Sequence, residues 1–331
     1  MRNLYFTHYV LRFMQRLFGL NKNKQMSDRN FERFENFEPL GMHEVEPRQP
    51  WVARLLRPDV PGLNLILFFL TCGSTFFQGY STSPTGSLAD GFWYSGGIIT
   101  ILLFHEMGHY FMCRRHGVHA TLPFFIPLPI LSPFGTMGAV IRMDSRMPDR
   151  RALFDIGIAG PLAGLVVAIP AIYFGVQMSD VRALDTLGES MTLGESLLFK
   201  WLSFLAIGPL QEGTDIILHP LAYAGWAGLF VTALNLLPVG QLDGGHILYA
   251  LLGERSVFIG RVALALFALM GIVVFPFFPG WFPFILLLIW FGYRHPPTAD
   301  HFTPLDSKRR LLAYLAFAIF IVSFTPIPFY I

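Results

Sequence analysis

The sequence predicts an all-α polytopic membrane protein of about seven transmembrane helices, with a Pro-rich re-entrant loop or β-hairpin among them. Three observations carry that prediction. Of 331 residues 53% are hydrophobic and 14% charged, with a mean hydropathy of +0.50, whereas a soluble domain is about a quarter charged. The apolar residues gather into runs near the ~20 residues that a helix needs to cross a bilayer. With the amino terminus inside, 22 of the 24 Lys and Arg fall on the inner side of those runs, and only Arg182 and Lys200 fall outside. That asymmetry is the positive-inside pattern.

Residues 1–57 are the one long polar stretch and read as a cytosolic basic segment and linker. Met1–Leu20 spaces apolar residues such as Leu4, Val10, Leu11 and Phe18 among Arg2, Arg12 and Arg16, with no acid before Asp28. This is the pattern of an amphipathic helix on a membrane surface. A transit peptide is the alternative, although Ser is scarce. From Asp28 to Glu46 charges of both signs are mixed, as in a solvated linker.

The expected spans are Pro61–Phe77, Gly91–Cys113, Leu153–Val176, Leu221–Leu252, Val257–Phe275, Trp281–Tyr293 and Leu311–Ile331, of which the sixth is short. Residues 58–252 form the expected core, and 253–331 a set of carboxy-terminal transmembrane helices. A net charge of +2 without basic clusters speaks against nucleic acid as a partner. Two cysteines, Cys72 and Cys113, both in apolar runs, exclude a disulfide framework and a Cys-rich metal site.

The second span reads IITILLFHEMGHYFMC from Ile98 to Cys113. His105 and His109 are an i, i+4 pair on one helical face, so both imidazoles reach one ion. Glu106 stands beside the first, placed to take a proton from a metal-bound water. Two His and a Glu in hydrocarbon cost several kcal/mol without a partner, which makes an accidental H-E-x-x-H match here improbable. The late residues of the fourth span lie at the same depth and read Asn235-Leu-Leu-Pro-Val-Gly-Gln-Leu-Asp243-Gly-Gly-His246. Pro238, Gly240, Gly244 and Gly245 interrupt the helix, as happens where backbone lines a buried cavity. Asp243 at that break is the expected third ligand, giving His, His and Asp plus an open position, the set of a catalytic zinc site. His246 is read as a neighbour of that set, since a fourth ligand would close it to water.

HEMGH followed far downstream by NLLPVGQLDGG resembles the site-2 protease family of intramembrane zinc metalloproteases. FDIGIAGPLAG at Phe154–Gly164 and SPFGTMGAVI at Ser132–Ile141 resemble elements of its bacterial and plastid members. The resemblance covers about residues 88–252. It implies one Zn2+ per chain held by His105, His109 and Asp243, with Glu106 as catalytic acid and base. It also implies that Asn235 helps to position the substrate; a helix-packing hydrogen bond is the plainer alternative. The implied partners are the lipid bilayer and a single-pass membrane protein as substrate, with no specified oligomeric state. The implied location is a bacterial inner (plasma) membrane.

Pro123, Pro127, Pro129 and Pro133 rule out a helix between Leu122 and Ile141. An extended edge there is suited to pair with an unwound substrate by strand addition; a space-filling plug is the alternative. Gly157, Gly160 and Gly164 read as a helix-packing stripe without chemistry, and Asp155 as a helix cap. The outer loop from Gln177 to Pro220 is acidic and too short for the PDZ domain that many relatives carry, and Ser196–Ile207 within it is apolar enough to lie on the outer surface. A transporter would also be polytopic, but no inverted repeat is visible. A non-catalytic relative would be expected to have lost Glu106.

Overall fold

The computed structural model describes residues 61–83, 85–144, 147–183, 192–291, 298–300 and 302–330. The expected surface helix and linker of residues 1–57 lie outside the described residues. Contacts divide the chain into residues 1–62 and 63–331, and the second unit holds every described element apart from the first two residues of α1.

Helix α1 (Pro61–Thr82) begins on a proline, whose fixed φ suits a first helical turn. Helix α2 (Leu88–Arg115) opens on a capping box in which Ser87 and Asp90 satisfy each other's backbone donors, and it stops where Gly117 takes a φ of +67°. The Pro-rich segment forms a hairpin of β1 (Phe124–Pro127) and β2 (Thr136–Val140), antiparallel and bulged between Phe125 and Pro127. Asn64 of α1 donates to the carbonyls of Leu122 and Pro123, both at 2.9 Å. Near the tip, the Tyr94 and Tyr223 hydroxyls donate to the carbonyls of Phe134 and Pro133.

Asp149 caps helix α3 (Arg150–Gln177) by accepting from Ala152 N–H at 2.7 Å. Strand β3 (Asp180–Ala183) pairs with β5 (Thr214–Ile217), and between them come β4 (Thr192–Leu193) and helix α4 (Leu197–Ile207), capped by Ser196. Helix α5 (Pro220–Asn235) is followed by a break and then α6 (Asp243–Leu252), a 3-10 turn at Gly253–Arg255, and α7 (Ser256–Val274). Helices α8 (Trp281–Phe291) and α9 (Ser307–Ser323) complete the chain, with β6 (Phe329–Tyr330) paired to β4.

Helices α2, α3 and α5 pack against one another, and small residues let these backbones close up. A Cβ on Gly108 would strike the Ala159 backbone, and one on Gly175 the backbone of Ala222. Tyr94, Ile98, Leu102, Ile172, Trp226 and Leu229 fill one half of this core. Leu153, Phe154, Ile156, Leu236, Ile247 and Ala313 fill the other.

The fold is mostly helical and the Pro-rich segment forms the expected β-hairpin; the all-α expectation needs correcting in that two further two-stranded sheets are present among the described residues. In the segment between α3 and α5, the described strands β3, β4 and β5 satisfy backbone groups by pairing. Three helical runs among the described residues are long and apolar enough to cross a membrane, at 62–82, 150–177 and 243–274. The last is broken at Gly253, whose φ of +60° no helix accommodates. The expected fourth span is two short helices, α5 and α6. The sixth is the 11-residue α8, about 16 Å long. The seventh is helical only to Ser323, because Pro326 and Pro328 cannot continue it.

Candidate metal centre

His105, Glu106 and His109 project from α2 into the interior, and all three are buried. Asp243 arrives from a different direction as the first residue of α6. Its carboxylate there is favoured by the unpaired N–H groups of a helix start. The approach depends on Gly244 and Gly245: a Cβ on the first would strike the Leu236 carbonyl, and on the second the carbonyl of Gly240. The interrupted stretch 236–242 therefore folds back under α6 and turns Asp243 toward α2.

His105 Nε2, His109 Nε2 and Asp243 Oδ2 make a nearly equilateral triangle, with edges of 3.2, 3.3 and 3.3 Å. Ligands held ~2.0 Å from a tetrahedral ion stand about 3.3 Å from one another, so the three donors fit a zinc ion without rearrangement. Two neutral imidazoles and one carboxylate are also the donor set of a catalytic rather than a structural site. Among the described residues this is the cluster able to hold a metal ion.

The surroundings fix the donors. His109 Nδ1 lies 2.8 Å from the carbonyl of Ile156 on α3. A carbonyl only accepts, so Nδ1 carries the proton and the Nε2 lone pair is left facing the triangle. The Asn235 amide, at the end of α5, lies 3.3 Å from His105 Nε2. The Glu106 carboxylate faces the backbone N–H of Ile141, just beyond β2. The hairpin thus ends against the one acidic side chain that α2 places beside this centre.

Several residues differ from their sequence reading. Gly160 packs α3 on α2 at the metal centre itself, for the His109 ring fills the place where its Cβ would be. Asp155 is not a cap, since Asp149 has that role. Its carboxylate instead accepts from Arg309 of α9 and pairs with His116, just past α2. His246 lies one turn along α6 from Asp243, with its Cβ against Gly157, and is not part of the triangle. The Ile156 carbonyl left no trace in the sequence, since every residue offers one. Arg309 does leave a trace, as a cation beside an apolar run, but in sequence that trace speaks to topology alone.

A profile of peptidase family M50 matches residues 93–275. The chain is 34% identical over 240 residues to the probable zinc metalloprotease EGY1, chloroplastic, of Oryza sativa subsp. japonica, covering 70% of this chain and 40% of the relative. It is 31% identical over 239 residues to the protein of the same name from Arabidopsis thaliana, covering 70% and 42%. With the probable zinc metalloprotease EGY2, chloroplastic, of Arabidopsis thaliana it shares 30% over 239 residues, 71% and 42% of the two chains. The aligned part of this chain thus spans about two fifths of the length of these relatives.

Proposed function

This chain belongs to peptidase family M50, and on that premise we propose that it is a zinc metalloendopeptidase that cuts membrane-anchored proteins in or near their transmembrane segments. The single observation that carries this is the buried triangle of His105, His109 and Asp243 with Glu106 beside it. Zinc, when bound, supplies Lewis acidity, lowering the pKa of water to about 7 and polarising a peptide carbonyl. The protein does the rest. Glu106 accepts the proton of the attacking water on its carboxylate and passes it to the leaving amine. Asn235, whose amide borders His105, is placed to donate to the substrate carbonyl oxygen as charge develops on it.

A transmembrane helix hides its carbonyls in its own hydrogen bonds and has to unwind before it is cut. The hairpin supports a way to hold it unwound. Ile141, the residue after β2, lies against Glu106, so a substrate strand paired alongside β2 reaches the centre extended.

Seven spans remain the topology we propose. The distribution of Lys and Arg supports it, and it puts the amino terminus in the cytosol and the metal centre in the inner half of the bilayer. In it, residues 58–252 carry the chemistry and 253–331 are a membrane-embedded flank. The reading of the membrane as a bacterial plasma membrane rests on the motif resemblance; the relatives above are named chloroplastic.

The test compares cells holding the full chain with cells holding Glu106→Gln. The variant is expected to keep about one zinc per chain, and single-pass membrane proteins should accumulate in its membranes as uncut precursors. A Glu106→Gln protein that still processes them, or a wild-type chain that purifies without zinc, overturns the reading.

A further inference from the structure

Helix α3 meets His109 twice, through the carbonyl of Ile156 and through the bare backbone of Gly160. A small rotation or slide of α3 along α2 would move both and turn the imidazole away from the other two donors. The apolar packing between these helices is built on glycine and alanine, which allow close approach but resist sliding weakly. A directional contact does occur at the end where α2 stops and α3 begins. Asp155, the residue before Ile156, takes a two-pronged bond from Arg309 of α9: Nε to Oδ1 at 2.8 Å and Nη2 to Oδ2 at 2.7 Å. His116, immediately after α2, reaches the same Oδ2 at 2.9 Å. The remaining guanidinium nitrogen of Arg309 is held by Asp306, the cap of α9.

We propose that Arg309 and Asp155, with His116 as the third point, are positioning residues for the metal centre. They pin the start of α3 to the end of α2, so that the Ile156 carbonyl holds His109 in the tautomer and orientation that binds zinc. The proposal rests on the peptidase reading above. Helix α9 lies beyond the segment that matches the M50 profile, so the proposal gives the carboxy-terminal flank a task in the chemistry. Arg suits the role because its planar fork matches a carboxylate at two points, which an ammonium cannot do.

The test uses the full chain, stripped of metal and held in lipid nanodiscs, in wild-type, Arg309→Ala, Arg309→Lys and Arg310→Ala forms. Arg310 lies on the same turn, and its guanidinium bonds Ser307 and, among the described residues, no carboxylate. Zinc affinity is read by competition with a chelator, and metal-free stability by thermal unfolding. Residues that orient a ligand from behind typically alter metal affinity 10–100-fold. Arg309→Ala is therefore expected to weaken zinc binding by about that factor, Arg309→Lys by less, and Arg310→Ala not at all, with metal-free unfolding close to wild type throughout. Should Arg309→Ala fail to fold, Arg309→Lys against Arg310→Ala decides. Wild-type zinc affinity in a folded Arg309 variant overturns the proposal. So does a loss of zinc that merely follows an equal loss of metal-free stability and is not eased by Lys. A wild-type chain that takes up no zinc sinks the peptidase reading itself, and this proposal with it.

Discussion

The imidazole of His109 occupies the space that a side chain on Gly160 would need: a Cβ built there would come closer to Nε2 than any real Cβ approaches a neighbour. Gly164, one turn on, is different, for its Cβ would lie 3.4 Å from His105, an ordinary contact. Gly160→Ala is therefore expected to displace the ring and lower zinc affinity at least tenfold, whereas Gly164→Ala keeps zinc within about twofold. Zinc per chain, measured by mass spectrometry after gel filtration in detergent, separates the two. Equal zinc in both variants would mean that the glycine stripe serves helix packing alone.

Asn235 sits 3.3 Å from a nitrogen of the metal triangle, in a bond that also joins α5 to α2. A residue that only packed helices would, on removal, lower stability and leave turnover intact. Asn235→Leu is expected to do the reverse, cutting the rate of cleavage about 10²–10³-fold, as for loss of one oxyanion donor. Zinc content and unfolding temperature should stay near wild type. Normal turnover in a less stable protein would assign Asn235 to packing.

The parts of this site that were legible in the sequence are those whose chemistry is rare in hydrocarbon. Two His, a Glu and an Asp at broken or apolar helical positions call for a common partner, and helical period alone puts His105 over His109. The prolines likewise exclude a helix between Leu122 and Ile141. What stayed hidden is what depends on how helices sit against one another. Gly160 and Gly164 have the same letter and nearly the same spacing to their neighbours, yet only Gly160 lacks room for a Cβ beside the imidazole it faces. Asp155 lies within the first two turns of α3 and reads as a cap in sequence, because its partner, Arg309, is 154 residues away. The strands β3 to β6 are two to four residues long, too short to show an alternating pattern.

The hairpin offers a test independent of the metal. Asn64 satisfies the carbonyls of Leu122 and Pro123, where the chain enters β1. Asn64→Leu leaves two carbonyls short of a donor at a cost of about 1–3 kcal/mol each, and it loosens β1 without touching the triangle. Amide exchange over residues 124–127 and 136–140 is expected to speed up, and cleavage of a transmembrane substrate to fall severalfold, with zinc unchanged. If exchange speeds up while cleavage holds, the hairpin is a plug and the substrate docks elsewhere.

Helix α5, which carries Asn235 at its far end, is capped by His219, whose Nδ1 accepts from Leu221 N–H at 3.2 Å. A protonated imidazole has no lone pair to accept with, so the cap requires the neutral ring. Burial pushes the pKa of His219 below its usual 6.5, against the opposing pull of the Asp90 carboxylate. Because the unfolded chain takes up this proton more readily than the folded one, the stability contributed here is complete above about pH 6.5 and declines as pH falls through the lower folded value. A lost cap costs about 1 kcal/mol. Asn accepts the same bond and does not titrate, so His219→Asn should lose less stability than wild type between pH 7.5 and 5. The metal ligands titrate in both proteins, and the difference between their unfolding curves isolates His219. Parallel curves would show that the cap does not depend on the protonation of this ring.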